Sequence, residues 1–311
     1  MFALNKSSML EFIFTGLTDQ SKLNIPLFVI FLYIYIVTVV GNIGIITLGM
    51  VDKRLHKPMY LFLCSLSFAD LTYSSAVTPK MLNDFLCKAK VISFVGCALQ
   101  MYIFVSFATI ECLLLGIMAY DRYVAICSPL QYGSLMSSIL CFRMVAAAYF
   151  GGFMTALVHT IGVFRLNFCR SNTIDHFFCD IPPLYKLSCS DITVNLAILI
   201  ILGGLVTLSC LLLILVSYTN IIRAIMTIRS AQGRYKAFNT CASHMTAVSV
   251  FYGTVLFMYF RPSTSYALQQ DRVASVFYSI IIPMLNPLIY SLRNTEVKEA
   301  LRSSLKYLKA L

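Results

Sequence analysis

Residues 24–51 read "NIPLFVIFLYIYIVTVVGNIGIITLGMV", a run that contains no Asp, Glu, Lys or Arg. At about 1.5 Å of rise per residue, it exceeds the roughly 20 residues that cross a bilayer core. A soluble helix would keep a polar face, and this run has none. The same pattern recurs along the chain. Residues 144–164, 192–222, 237–260 and 273–292 are also free of charge, and 58–79 and 91–120 hold one acid each. Seven spans are expected, at 24–51, 58–82, 91–121, 141–165, 192–223, 236–260 and 272–292. The composition agrees, since 59% of the 311 residues are apolar and 12% charged, against roughly 45–50% apolar in soluble domains. The expected fold is an all-α membrane protein, a single seven-transmembrane helix bundle over 1–311.

The opening "MFALNKSSMLEFIFTGLTDQ" interrupts its apolar residues with polar ones, so the first span is expected to serve as its own insertion signal. Basic residues set the orientation. Placing the N-terminus outside gathers Lys53, Arg54, Lys57, Arg122, Arg143, Arg223, Arg229, Arg234, Lys236, Arg293, Lys298, Arg302, Lys306 and Lys309 on the cytoplasmic side, against four acids there. This is the positive-inside bias, and it predicts an extracellular N-terminus and a cytoplasmic C-terminus; a plasma-membrane location is the accompanying expectation. The net charge of +11 is scattered over short loops, which speaks against a nucleic-acid partner. Asn5-Lys6-Ser7 is a glycosylation sequon in the tail assigned outside.

Two acids fall deep inside spans. Asp70 lies roughly 18 Å beyond Pro58, and Glu111 about 16 Å from Arg122 along the third span. Each costs about 2.5–3.5 kcal/mol to insert at mid-bilayer. With Asn42 and Asn286 at comparable depth, they read either as interhelical polar contacts or as a hydrated pocket for a sodium ion or a shared proton.

The loop 165–191 carries Cys169, Cys179 and Cys189, and Cys97 stands at the outer end of the third span. Four cysteines allow three pairings. Cys97–Cys179 with Cys169–Cys189 is preferred, because it staples the loop over the bundle and closes it on itself. Cys87 is left as an outer thiol. A metal site at His176 is disfavoured because its neighbour Cys179 is expected to be oxidised, and His159 and His244 read as satisfied helix residues. Beyond the seventh span, 294–309 alternates Val297, Ala300, Leu301, Leu305 and Leu308 with charged positions, an amphipathic helix on the inner leaflet capped by Asn294.

At the inner end of the third span stands "MAYDRYVAICSPLQY" (118–132). Asp121 beside Arg122 can neutralise it in a closed bundle and release it towards a cytoplasmic partner. Gly41-Asn42, Leu66-Ser67-Phe68-Ala69-Asp70 and Asn286-Pro287-Leu288-Ile289-Tyr290 accompany it on the first, second and seventh spans. In that order the four motifs resemble a rhodopsin-like G-protein-coupled receptor. "KPMYLFLCSLSFADL", "SYTNIIRAIMTIRSAQGRYKAFNTCASHM", "PMLNPLIYSLRNTEVKEAL" and "HFFCDIPPLYKLSC" narrow the resemblance to vertebrate olfactory receptors. "FYGT" (251–254) stands where most rhodopsin-like receptors carry Trp, a residue this chain lacks.

The resemblance also implies the Cys97–Cys179 link, a volatile small-molecule odorant, and coupling to a stimulatory olfactory G protein that raises cyclic AMP. It makes Asp121, Arg122, Tyr123, Tyr218, Asn286, Pro287 and Tyr290 the inner switch, with Arg234 and Lys236 flanking the G-protein opening. Facing pocket positions are Phe104, Val105, Ala108, Thr109, Leu202, Gly203, Val206, Tyr252, Val255 and Tyr259. They predict an apolar cavity with a few hydroxyls, suited to a small neutral molecule that Tyr259 and Thr109 orient. A charged amine would call for a carboxylate where Phe104 stands, and an opsin for a Lys within 273–292. A chemosensory receptor outside olfaction is the alternative reading. A transporter would show repeated halves, and an intramembrane enzyme would need a motif such as GxSxG or HExxH; neither is present.

Overall fold

The computed structural model describes residues 11–18, 20–259, 267–293 and 295–310, with side chains at 21, 236, 239, 240, 258, 259, 267–270, 291–293, 295 and 304–310 outside that description. Asn5, the cap position Asn294 and the side chains of Lys236, Tyr259, Leu305 and Leu308 lie outside it.

Among the described residues, helices α1 (Asn24–Val51), α2 (Pro58–Leu86), α3 (Phe94–Cys127) and α4 (Ser138–Phe164) are followed by α5, which runs through Thr193–Ile198, a π turn Leu199–Gly203, and Gly204–Thr227. Helix α6 is Ala231–Tyr259. Helix α7 runs through Ala267–Val276, a π turn Phe277–Ile281, and Ile282–Arg293, and the final helix α8 is Thr295–Ala310. Six of these are long and apolar enough to cross a membrane, and α6 contributes the shorter apolar stretch Cys241–Phe257.

Local chemistry explains several ends. Pro58 occupies the first turn of α2, where its missing N–H leaves nothing unsatisfied. The Ser93 hydroxyl accepts from the Gly96 N–H at 3.0 Å and starts α3 there. Residues 91–93, expected inside the third span, form a strand instead, and α3 continues past 121 to Cys127, just before Ser128-Pro129. Ser137 caps α4 through the Leu140 N–H.

The bundle closes through small residues. A Cβ on Gly152 of α4 would stand 2.7 Å from the Ser106 carbonyl of α3 and 2.5 Å from Ile110 Cγ1. Gly41 of α1 leaves room for the Pro287 ring of α7. On α1, Ile25, Val29, Tyr33, Ile36 and Val40 are all exposed, a lipid-facing pattern.

One end of the bundle carries a feature absent from the sequence reading. Strand β1 (Glu11–Phe14) pairs antiparallel with β2 (Val91–Ser93) and parallel with β3 (Thr173–Ile174). Phe12 and Phe14 point inward into a second core with Phe94, Phe164, Phe168 and Ile174. Through this core passes the disulfide Cys97–Cys179, while Cys169–Cys189 closes the loop at the exposed surface, with Cα separations of 5.5 and 5.8 Å. Cys87 is an exposed free thiol.

Replacing Gly152 by Ala tests the α3–α4 approach. Helix propensity favours the change by about 1 kcal/mol, whereas overpacking against backbone costs about 1–3 kcal/mol. The melting temperature of the purified receptor and its surface level are expected to fall.

Candidate functional site

Near the sheet end, Phe104 of α3 is ringed by aromatics: Tyr73 at 5.9 Å, Phe178 at 5.0 Å and Tyr278 at 5.7 Å between centroids. Val105, Ala108 and Thr109 follow it down α3, half-buried. Leu202 and Gly203 lie in the π turn of α5, with Val206 one turn further on. Tyr252 is buried on α6, and Val255 half-buried one turn away. The Thr109 hydroxyl donates to the Val105 carbonyl at 2.8 Å, so only its lone pairs face outward. Tyr252 donates to the Cys112 carbonyl at 3.1 Å and lies 3.2 Å from the Cys112 thiol, joining α6 to α3.

Phe178, Tyr73 and Tyr278 were missing from the sequence-derived pocket. A signal for Phe178 existed. Phe104 lies two helical turns from Cys97 on nearly the same face, and Phe178 precedes the cysteine bonded to Cys97. The disulfide thus lowers Phe178 onto Phe104.

At mid-bundle the Asn286 amide donates to Asp70 Oδ2 and to Glu111 Oε1, both at 2.9 Å. The Tyr73 hydroxyl donates to Glu111 Oε2 at 2.8 Å. Asn42 turns its amide to the Thr38 and Pro283 carbonyls, at 2.9 and 3.0 Å, and does not bond the acids directly. All four of the polar side chains named at the sequence level are buried here, and Asp70 Oδ1 and Asn42 Oδ1 have no hydrogen-bond partner among the described residues.

The opposite end departs from expectation in one contact. Asp121 accepts the Tyr132 hydroxyl at 2.8 Å and makes no ion pair with Arg122 among the described residues. Tyr132 begins a short helix, Tyr132–Leu135, that follows α3 and brings its hydroxyl to Asp121. Arg122 instead reaches the Met59 sulfur of α2, and its Nε has no partner among the described residues. Tyr123 packs against Tyr120, with centroids 6.2 Å apart.

His244 joins three helices here. Its Nε2 lies 3.1 Å from the Leu115 carbonyl, which can only accept, so Nδ1 takes the Tyr218 hydroxyl proton at 2.7 Å. Tyr290 is buried with its hydroxyl unpartnered among the described residues, Arg234 is exposed, and Leu130 is fully exposed. Helix α8 docks on α2 through Glu296, which accepts from Lys57 Nζ at 2.6 Å and from the Tyr60 hydroxyl at 2.9 Å. No cluster of three or more metal-ligating side chains occurs among the described residues.

The family model described as olfactory receptor matches residues 31–307. The chain belongs to the olfactory receptor family. Olfactory receptor 5AR1 of Mus musculus is 55% identical over 298 residues, covering 96% of each chain. Olfactory receptor 8U9 of the same species is 55% identical over 302 residues, covering 97% of this chain and 96% of that one. The 5AR1 protein of Homo sapiens is 54% identical over 298 residues, 96% of each. The squid rhodopsin crystal structure superposes with a TM-score of 0.65 at 21% identity, covering 94% of this chain and 87% of that one. The receptor therefore has the seven-transmembrane fold of G-protein-coupled receptors. It is a multi-pass membrane protein and a signalling receptor, not an enzyme.

Tyr73→Phe removes one donor from an enclosed carboxylate. It is expected to lower receptor stability by about 1–3 kcal/mol. In a Glu111→Gln background the same change should cost clearly less, as read from paired thermal melts.

Proposed function

We propose that this receptor binds a small, neutral, volatile odorant and activates a stimulatory, olfactory-type heterotrimeric G protein, raising cyclic AMP. The pocket lies among Phe104, Val105, Ala108, Thr109, Leu202, Gly203, Val206, Tyr252, Val255 and Tyr259, with the sheet end extracellular and the C-terminus cytoplasmic. Cys97–Cys179 and Cys169–Cys189 lie at the same end as the tail, which supports that orientation because disulfides persist outside the cytosol. Helix α8 rests on lipid of the inner leaflet, with Val297 and Ala300 packed against the bundle and apolar Leu301 exposed beside Lys298 and Arg302.

The observation that carries the reading is mechanical. Helix α6 is held at two heights by polar contacts to α3, Tyr252 to Cys112 near the pocket and His244 to Leu115 near Arg122. A ligand that displaces Tyr252 loosens the upper contact. The inner half of α6 then swings from α3, His244 releases Tyr218, and Arg122 becomes free to meet the G protein beside exposed Leu130. Such a pair of discrete packings is what a ligand switch requires. Arg234 and Lys236 flank the opening, and Pro287 bends α7.

The cluster of Asp70, Glu111, Asn286 and Asn42 is proposed to hold a sodium ion or a shared proton. Two enclosed carboxylates served by one amide and one phenol are short of positive charge, and Asp70 Oδ1 and Asn42 Oδ1 lack partners among the described residues. A hard cation with oxygen ligands suits that donor set.

Three measurements test these readings. Arg122→Ala is expected to abolish the cyclic AMP response to a panel of neutral volatiles while surface level holds; an undiminished response would remove Arg122 from the switch. His244→Phe is expected to raise ligand-free cyclic AMP several-fold, since it severs the lower α3–α6 tie. Exchanging N-methylglucamine for sodium is expected to raise the melting temperature of the unmodified receptor but not of Asp70→Asn. A melt indifferent to sodium assigns the cluster to a proton.

A further inference from the structure

The segment around the Cys179 disulfide is bonded to α7 by a run of polar side chains that the switch does not use. His176 is buried, and its Nδ1 accepts from the Phe178 N–H at 3.4 Å. Its other nitrogen therefore carries the proton and donates to Ser275 Oγ at 3.1 Å. Burial, helped by the nearby Arg272, lowers this imidazole to a pKa of about 3, so it stays neutral. Ser275 Oγ stands 2.8 Å from the Tyr278 hydroxyl, which donates to Asp180 Oδ2 at 2.8 Å. Tyr278 has one proton to give, and the Ser275 hydroxyl gives its own to the Asp271 carbonyl at 2.7 Å, which can only accept. Imidazole, serine, phenol and carboxylate thus stand in one polar run, with His176 the donor at one end and Tyr278 the donor to Asp180 at the other.

Asp180 is the end of the chain. Burial pushes its carboxyl up, and the Tyr278 hydroxyl and the Ile181 N–H, at 2.8 Å, hold it down. No cation pairs with it among the described residues. Asp180 also begins the short helix Ile181–Leu187, whose Ile181, Leu184 and Leu187 are buried in the second core. The other face of Tyr278 is its ring, which lies on Phe104, and Phe104 lies on Phe178. Two separate paths, one polar and one aromatic, thus join the loop to α7 through the same tyrosine. The π turn Phe277–Ile281 contains Tyr278, and π turns recur where a helix re-aims a side chain for function.

We propose that the Tyr278–Asp180 bond is a latch between the outer loop and α7, with Asp180 as the positioning residue that sets the Phe104–Tyr278 wall of the pocket. The proposal rests on the pocket reading only in calling that wall ligand-facing; the latch itself belongs to the empty receptor. A ligand that tilts Tyr278 gives up a donor to an enclosed carboxylate, so motion of α7 and opening of the loop occur together. The Arg272 guanidinium, which reaches Asp175 and donates to Thr15 Oγ1 at 3.1 Å, ties α7 to the sheet separately. That second tie keeps β1 to β3 in place when the latch opens.

The test is amide hydrogen exchange of the full-length receptor in lipid nanodiscs, without ligand. Tyr278→Phe keeps the ring against Phe104 and removes only the hydroxyl. Exchange across 178–187 is expected to quicken about ten-fold or more, as befits loss of a hydrogen bond to a charged acceptor. Residues 11–14 and 91–93 should stay unchanged. Asp180→Asn keeps an acceptor without the charge and should quicken exchange about three-fold. Added to Tyr278→Phe, it should quicken exchange less than it does alone, because only the bond from the Ile181 N–H is left for it to weaken. Unchanged exchange across 178–187, equal quickening at the sheet, or additive effects of the two substitutions would each overturn the latch. Should either variant fail to reach the membrane, the unmodified receptor still decides the matter. Residues 181–187 and 275–279 must then open with protection matched within about ten-fold, and a wider difference overturns the proposal. A receptor silent to every volatile would count against the odorant reading while leaving this result intact.

Discussion

Inside a hydrocarbon slab no water replaces a missing hydrogen-bond partner, so every backbone and side-chain polar group must find one within the protein. That constraint makes the spans helical and makes their few polar side chains conspicuous. Ser and Thr along the helices turn back on carbonyls one turn away, as Thr38, Thr72, Ser106 and Thr109 do. Groups that cannot be satisfied locally, Asp70, Glu111, Tyr73 and Asn286, meet at one depth and bind α2, α3 and α7 to each other. The polar centre is thus a consequence of the solvent, and a helix moving there must exchange one set of partners for another.

The same logic operates at both ends with different chemistry. Near Arg122 the ties are neutral, Tyr218 to His244 and His244 to a backbone carbonyl, so they can part without stranding a buried ion. Among the described residues the arginine itself is held by little, a contact to the Met59 sulfur, and its Nε has no partner. At the sheet end two disulfides, three short strands and an aromatic core make a ceiling over the bundle. One end is covalently closed and the other only lightly tied.

Within the candidate site, the residues legible beforehand were those whose helix face follows from spacing. Phe104, Val105, Ala108 and Thr109 could be read from the turn of α3, and Tyr252 from its place in "FYGT". Phe178 and Tyr278 could not be read this way, because a loop has no period and a π turn shifts the faces of α7 by part of a turn. The Asp121–Tyr132 bond was hidden for a related reason. Adjacent opposite charges suggest a pair, yet neighbours on a helix point about 100° apart, and a phenol eleven residues on is better placed.

What the sequence by itself determined is the set of spans, the depth of each buried polar group, the family and the cysteines available for bonding. These follow from length, hydropathy and motif, which are local properties of a chain in a membrane. Tertiary structure alone decided that Glu11–Phe14 becomes the central strand of a sheet. Four residues carry too little alternation to declare themselves, and their partners lie about 80 and 160 residues away. It likewise decided that Asp180 faces Tyr278 and that His244 bridges Tyr218 to Leu115. Each of those contacts depends on the rotation of one helix against another, a quantity set by packing across the whole bundle and by no single stretch of chain.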